Sequence, residues 1–135
     1  MRALSVIPLL SLAFAQPVMA QTAPALDAAK AVAAALAANG GDVAGIFEMQ
    51  VASTGAGGFN FYLNSATDYR DAGNLAILIE PAGRNAIKAK YGVEPDVAFA
   101  NKRIRVKGIA RRVPVGSHFQ TRVTVDSGDQ IEIIG

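Results

Sequence analysis

The sequence predicts a mainly β domain: a small barrel or sandwich of five short strands, with one helix between the third and fourth strands and another helix leading in. Three observations point there. Apolar and polar residues alternate with the period of two that a half-buried strand requires. The alternating runs are separated by turn-rich stretches at short intervals. A single run, Pro81 to Gly92, replaces the alternation with helical spacing.

The first segment stands outside this domain. Arg2 supplies a positive charge, residues 3–15 are an apolar run interrupted only by Ser5, Pro8 and Ser11, and Gln16-Pro17 ends it. Val18-Met19-Ala20 then offers the small residues of a cleavage site, so residues 1–20 are expected to be a signal peptide cut after Ala20. The chain is expected in the periplasm or outside the cell, soluble rather than membrane-spanning, since a bilayer span needs about 20 unbroken apolar residues. The 135 residues include no cysteine. An oxidising destination therefore brings no disulfide, and packing alone must hold the fold. Losing Arg2 with the leader leaves twelve basic residues against eleven acidic ones, a net charge of +1. Any electrostatic function must come from how that charge is distributed.

Residues 21–41 are expected to be an alanine-rich helix. Alanine is the best helix former; Thr22 or Ala23-Pro24 can start the helix, and Asn39-Gly40-Gly41 can end it. Leu26, Ala29, Val32, Ala33 and Leu36 would form its apolar face. The barrel is expected over residues 42–135. Its first strand, Ile46 to Ala52, sets Phe47, Met49 and Val51 against Glu48 and Gln50. Ser53 to Gly58 is expected to be a glycine-rich turn. Phe59 to Asn64 alternates again, with Phe59, Phe61 and Leu63 inward, completing a hairpin.

Ser65 to Gly73 is a polar loop. Asn74 to Glu80 is apolar almost throughout, which reads as a strand buried on both faces. Pro81 fits a first helical position, Ala82, Ala86, Ile87 and Tyr91 make the stripe, and Gly92 stops the helix. Val93 to Asn101 is a connector with Val97 and Phe99 turned inward. The fourth strand is Lys102 to Arg112, which carries six of the thirteen basic residues. Val113 to Ser117 turns the chain into the fifth strand, Phe119 to Asp126, with Phe119, Thr121, Val123 and Val125 on one face. A last turn leads to Ile131 to Ile134.

The segments FNFYLN, NLAILIE, PAGRNAIKAKYG, IRVKGIARR and FQTRVTVDSGDQIEII, in this order, resemble the OB-fold, a five-stranded Greek-key barrel that binds oligonucleotides and oligosaccharides. The chain is also similar to small exported bacterial OB-fold proteins. The resemblance covers residues 43–135. It implies a site on the exposed face of the second and third strands, flanked by Ser53 to Gly58 and Val113 to Phe119.

The basic strand has two readings. In strand register Arg103, Arg105 and Lys107 point outward about 7 Å apart. Arg111 and Arg112 then form a rim with His118 across the turn, and Arg122 lies further down the fifth strand. These residues would hold an anionic polymer, a single-stranded nucleic acid or an acidic polysaccharide, with Tyr62 or Tyr69 as a stacking surface and affinity that falls steeply with salt. The other reading is a solvated strand face whose charges discourage edge association. Its functional counterpart is an envelope protein that binds another protein, with no small-molecule or nucleic-acid ligand.

Catalytic and metal chemistry finds no support in these residues. His118 is the sole histidine and there is no cysteine, so a multi-histidine or thiolate metal site is excluded within one chain. Asp68 and Asp71 offer too few oxygens for calcium and read as turn and salt-bridge residues. Secreted nucleases similar to the staphylococcal type share the barrel, but this chain lacks their Asp-Gly-Asp-Thr stretch and the matching acid–arginine set. STGAGG precedes no helix and cradles no phosphate. The expectation is a binding module, not an enzyme, with no cofactor and no metal.

Overall fold

The computed structural model describes residues 24–135. The expected signal peptide, residues 1–20, lies outside them. The elements are α1 (Ala28–Ala37), β1 (Val43–Gln50), β2 (Ser53–Gly57), β3 (Asn60–Asn64), β4 (Leu75–Ile79), α2 (Pro81–Tyr91), α3 (Pro95–Phe99), β5 (Arg103–Val115), β6 (His118–Val125) and β7 (Ile131–Ile133). A 3₁₀ turn, Gly128–Gln130, leads into β7. The fold is mainly β, as expected. Among the described residues the sheet has seven strands rather than five, in the order β1-β5-β6-β4-β3-β2, with β7 beside β5. That hydrogen-bonded path is open, because β1 and β2 do not pair with each other.

Both ends of the path nevertheless lie on one run of chain. Only Val51 and Ala52 separate β1 from β2. The Val51 N–H donates to the Lys102 carbonyl at 2.9 Å, and the Ala52 N–H donates to the Asn64 carbonyl at 2.8 Å. Neighbouring amides thus turn to opposite partners, and the strand changes ladders there. Glycine-rich Ser53–Gly57 is therefore a strand paired with β3, not the expected turn. The turn is two residues long, with Gly58 at φ +62° as the first-position glycine of such a hairpin requires. Phe59, expected in the core, is the second turn residue and is 86% exposed.

Alternation sorts the rest of the core. Phe47 and Met49 from β1, Val51 just after it, Ile104 and Val106 from β5, and Val123 and Val125 from β6 are buried together. All five residues of β4 are buried, as its apolar run predicts. Phe119 departs from its inward partners: it lies opposite Pro114 near the β5–β6 turn, beyond the core, and is half exposed.

The helices use smaller residues than the sequence pattern predicts. In α1, Asp27 caps the N-terminus by accepting from the Lys30 N–H at 2.9 Å. The buried residues are Ala31 and Ala35, whereas Leu36 faces solvent. The helix packs on β1, β4, β5 and β6, where methyl groups permit the close approach that a leucine face would prevent. In α2, Gly83 and Ile87 are buried; Gly83, not Ala82, faces the sheet because a Cβ there would sit 2.7 Å from the Val125 carbonyl oxygen. Gly92 ends the helix at φ +78°. The expected connector contains α3, in which Phe99 is buried edge-to-face on Tyr91 at 5.4 Å while Val97 is exposed.

β5 has three partners. It pairs with β1 along one edge, and with β7 then β6 along the other. Between β7 and β6 that second edge is bridged by the Gln130 side chain. Its amide donates to the Lys107 carbonyl at 3.0 Å and the Thr124 carbonyl at 3.1 Å. Its oxygen accepts from the Asp126 N–H at 2.9 Å and the Ser127 N–H at 3.1 Å. Gly108 makes room, since a Cβ there would meet Val123 Cγ1 at 2.9 Å.

Two stability predictions follow from these contacts. Gln130→Ala leaves four backbone groups without this partner and is expected to lower unfolding free energy by about 1–3 kcal/mol, read from urea denaturation. Gly83→Ala is expected to cost roughly 1–3 kcal/mol by overpacking, whereas Gly83 replaced by alanine with no loss of midpoint would show that α2 can lift off Val125.

Candidate ligand-binding face

The outward positions of five strands form one surface. Across it, register places Ser53 opposite Asn64, Asn64 opposite Ala76, Ala76 opposite Arg122, and Arg122 opposite Arg111. Tyr62 is opposite Leu78, one step along the same face. Ala76 is small, which lets the Arg122 side chain reach across β4. Its guanidinium carbon lies 5.6 Å from the centre of the Tyr62 ring. This stack roofs β4, and it explains why Ala76 and Leu78 are buried on the outward side as well.

A groove of about 410 Å³ opens beside the stack, lined by β2, the loop after β3, and the β5–β6 hairpin. Tyr62, Tyr69, Asn64, Thr67, Gln120 and Arg122 are among its walls. Two buried asparagines set the wall that carries Tyr69. The Asn74 amide donates to Asn64 Oδ1 at 3.1 Å and to the Tyr69 carbonyl at 3.3 Å, and its oxygen accepts from the Ala66 N–H at 2.9 Å. Arg122 Nε donates to Gln120 Oε1 at 3.0 Å. Arg122 also borders a second depression of about 550 Å³, whose walls include Arg111, Glu80 and Asp126.

Three of the six cations of the basic strand are paired where they lie. Arg105 donates to Glu48 at 2.8 Å and to Glu132 at 2.9 Å, and Arg103 is 3.7 Å from Glu48. Arg111 grips Asp42 with two hydrogen bonds, of 2.7 and 3.2 Å. The guanidinium holds the Asp42 carboxyl below the ordinary aspartate range. Arg70 does the same to Asp68, within the polar loop where salt-bridge and turn chemistry was expected. Of the described cations between residues 102 and 125, Lys102, Lys107, Arg112 and Arg122 take part in no ion pair.

The expected rim of Arg111, Arg112 and His118 does not assemble. Successive residues of a strand point to opposite faces, so Arg111 is outward while Arg112 turns to the other side. There its guanidinium covers the Phe119 ring at 4.3 Å. His118 is opposite Val115, some four residues from Arg111, with Nε2 closed off from solvent. Of the residues singled out in sequence, the fold brings Tyr62, Tyr69 and Arg122 together and sets Arg111 next to them. Arg103, Arg105 and Lys107 lie further along β5. Gln120, Asn64 and Thr67 gave no signal of their own; Gln120 shares strand parity with Arg122, which is the one clue that could have found it.

No protein-family model matches the chain, and comparison with curated proteins finds no match. Solved structures do resemble it. An aspartyl tRNA synthetase from Entamoeba histolytica superposes with a TM-score of 0.54 at 13% identity, over 93% of this chain and 24% of that one. A putative aspartyl-tRNA synthetase from Leishmania major Friedlin gives 0.49 at 13% identity, over 91% and 23%. An OBody, AM3L09, bound to hen egg-white lysozyme gives 0.45 at 15% identity, over 71% and 83%. The chain spans about a quarter of the length of the synthetases it resembles. The first likeness is one of fold alone. With α2 placed between β4 and β5, and β4 parallel to β6, it supports an OB-type fold.

The Arg111–Asp42 pair fixes a titration. Because the folded-state pKa of Asp42 is lowered, the stability from this pair is present above the unfolded value and is lost as pH falls through the folded one. Carbon-detected NMR of the Asp42 carboxyl is expected to give a midpoint below that of an ordinary aspartate, and Arg111→Gln is expected to return it to the ordinary range.

Proposed function

We propose that this chain is an exported, non-enzymatic binding module that takes an anionic ligand, single-stranded nucleic acid or acidic polysaccharide, on the outward face between β2 and β5. The observation that carries the reading is Arg122. It is the one cation in the 410 Å³ groove, it has no carboxylate partner among the described residues, and it lies over the Tyr62 ring and donates to Gln120. A guanidinium fixed by neutral groups keeps its remaining N–H donors for an oxyanion, and hydrogen bonds to a charged group are the stronger ones. The fold supports binding, since OB-type domains are used for oligomeric ligands. The structural neighbour named for a tRNA supports the nucleic-acid version. Residues 1–20, read as a signal peptide, support export.

The basic strand is a minor contributor in this reading. Arg103, Arg105 and Arg111 already answer carboxylates, so a ligand would release few counterions. With one or two cations engaged, the slope of log affinity against log salt is about −1 to −2, shallower than the run of six basic residues implies.

A second reading rests on the free edge of β2. That strand pairs only with β3, carries no charge or proline to guard its edge, and leads to the exposed Phe59. An envelope protein could add a strand there, and such binding would be insensitive to salt.

Fluorescence anisotropy with labelled single-stranded DNA and a labelled acidic polysaccharide tests both readings on residues 21–135. The groove reading expects binding at low salt that weakens by about 10- to 100-fold in Arg122→Gln, the range of one charge-assisted hydrogen bond, and stays unchanged in the Arg103→Gln/Arg105→Gln variant. No binding at low salt, or equal loss in both variants, would sink it.

A further inference from the structure

We infer that the ligand of this face is an acidic oligosaccharide carrying well-separated carboxylates, rather than a nucleic acid. The inference rests on the groove reading above and names which anion the groove takes.

The first argument is charge density. A nucleic-acid strand brings a phosphate charge at every link, and tight binding needs cations to replace its counterions along the backbone. The face from β2 to β5 crosses four strand spacings, about 19 Å, so several phosphates would lie on it. The groove offers Arg122 alone. Arg111 is the next cation along the face, and its Nε and Nη2 both donate to Asp42. The depression that joins the two arginines also contains Glu80 and Asp126. A polyphosphate running on from Arg122 and Arg111 along this depression would meet these carboxylates with no further cation among its walls to offset them. A polymer with one carboxylate among several neutral rings can place that carboxylate on Arg122 and meet no second charge.

The second argument is the chemistry of the walls. Apart from Arg122 the groove has no ionisable acid or base at neutral pH. Its polar side chains are hydroxyls and amides, of which Thr54, Thr67 and Tyr69 are exposed and Gln120 is buried. Such groups both donate and accept, as sugar hydroxyls do. A bare phosphate only accepts and would leave half of that capacity unused.

The third argument is stacking. Single strands need open aromatic faces for successive bases. Here one face of Tyr62 is already covered by Arg122, and Arg70 sits 5.8 Å from the Tyr69 ring centre. There is no tryptophan in the chain. A guanidinium thus stands by each ring, which leaves at most one free face per ring: enough for the C–H surface of a pyranose, too little for a run of stacked bases.

Equilibrium binding to residues 21–135 is the test, using a hexasaccharide of hyaluronan, which carries a carboxylate on every second ring, beside its carboxyl-reduced neutral form, with hexagalacturonate, charged on every ring, as the dense-charge control and hexathymidylate as the nucleic-acid probe. The expected result is that the hyaluronan hexasaccharide binds tighter than both hexagalacturonate and hexathymidylate. Its carboxyl-reduced form and the Arg122→Gln variant should each lose about tenfold or more in affinity. Thr67→Val should also weaken sugar binding, with circular dichroism confirming that both variants fold. Tighter binding of hexathymidylate, abolished by Arg122→Gln, would overturn the sugar assignment while leaving the groove reading intact. Carboxyl-reduced sugars binding as well as acidic ones would overturn it too. Absence of all binding would remove the groove reading and the inference together.

Discussion

One side-chain amide bridges the place where the sheet would otherwise come apart. β5 has to serve β1 along one edge while its other edge is shared between β7 and β6. Three residues of that second edge have no strand beside them. Backbone groups left unpaired in such a gap would cost free energy comparable to lost hydrogen bonds. Gln130 answers carbonyls from β5 and β6 and two amides of the following turn at once. Gly108 and the 3₁₀ turn exist, in physical terms, to let that amide in: a side chain at 108 would collide with Val123. The bend that results carries β5 from the β1 ladder to the β6 ladder, and so decides which of its arginines meets Arg122.

The same economy explains β4. It is the inner strand of its neighbourhood, parallel to β6 and antiparallel to β3. Its inward residues belong to the core, and its outward residues are covered by the Arg122–Tyr62 stack. A cation over an aromatic ring is worth about 0.5–1 kcal/mol at an exposed site and more when desolvated. Here it closes a surface that would otherwise be bare alanine and leucine, and it orients the guanidinium toward the groove. Stability and the candidate binding function therefore draw on the same pair.

Much of the fold was legible because alternation is a local signal with a tertiary meaning. Phe47, Met49 and Val51 could be sorted from Glu48 and Gln50 by parity alone, and Leu75–Ile79 by the absence of any polar side. The failures have a common form. Apolarity sends Phe59 and Val97 inward, and alternation sets Phe119 with Val123, yet each sits at a turn, a strand end or a short helix where the core has run out. The apolar face read for α1 contains Leu36 and not Ala31 or Ala35, although a helix pressed close to a sheet selects small residues. Ser53–Gly57 read as a turn because glycine usually punctuates, whereas here it continues a bent strand. In the candidate site, Tyr62, Tyr69 and Arg122 were legible as residue types, but the rim of Arg111, Arg112 and His118 ignored that neighbours on a strand face opposite ways.

By itself the sequence determined the class of this protein: mainly β, a helix starting at Pro81, no thiol chemistry, no histidine cluster, and a strand loaded with arginine. Those follow from composition and from periods of two and 3.6, which are set by backbone geometry and need no partner. Only the tertiary structure decided which charges remain available. Glu48, Glu132 and Asp42 lie far in sequence from the arginines they neutralise, and Ala76 clears the path from Arg122 to Tyr62 only because register sets it between them. Whether a cation is free depends on what stands opposite it across a ladder, and that distance exists only once the strands have paired.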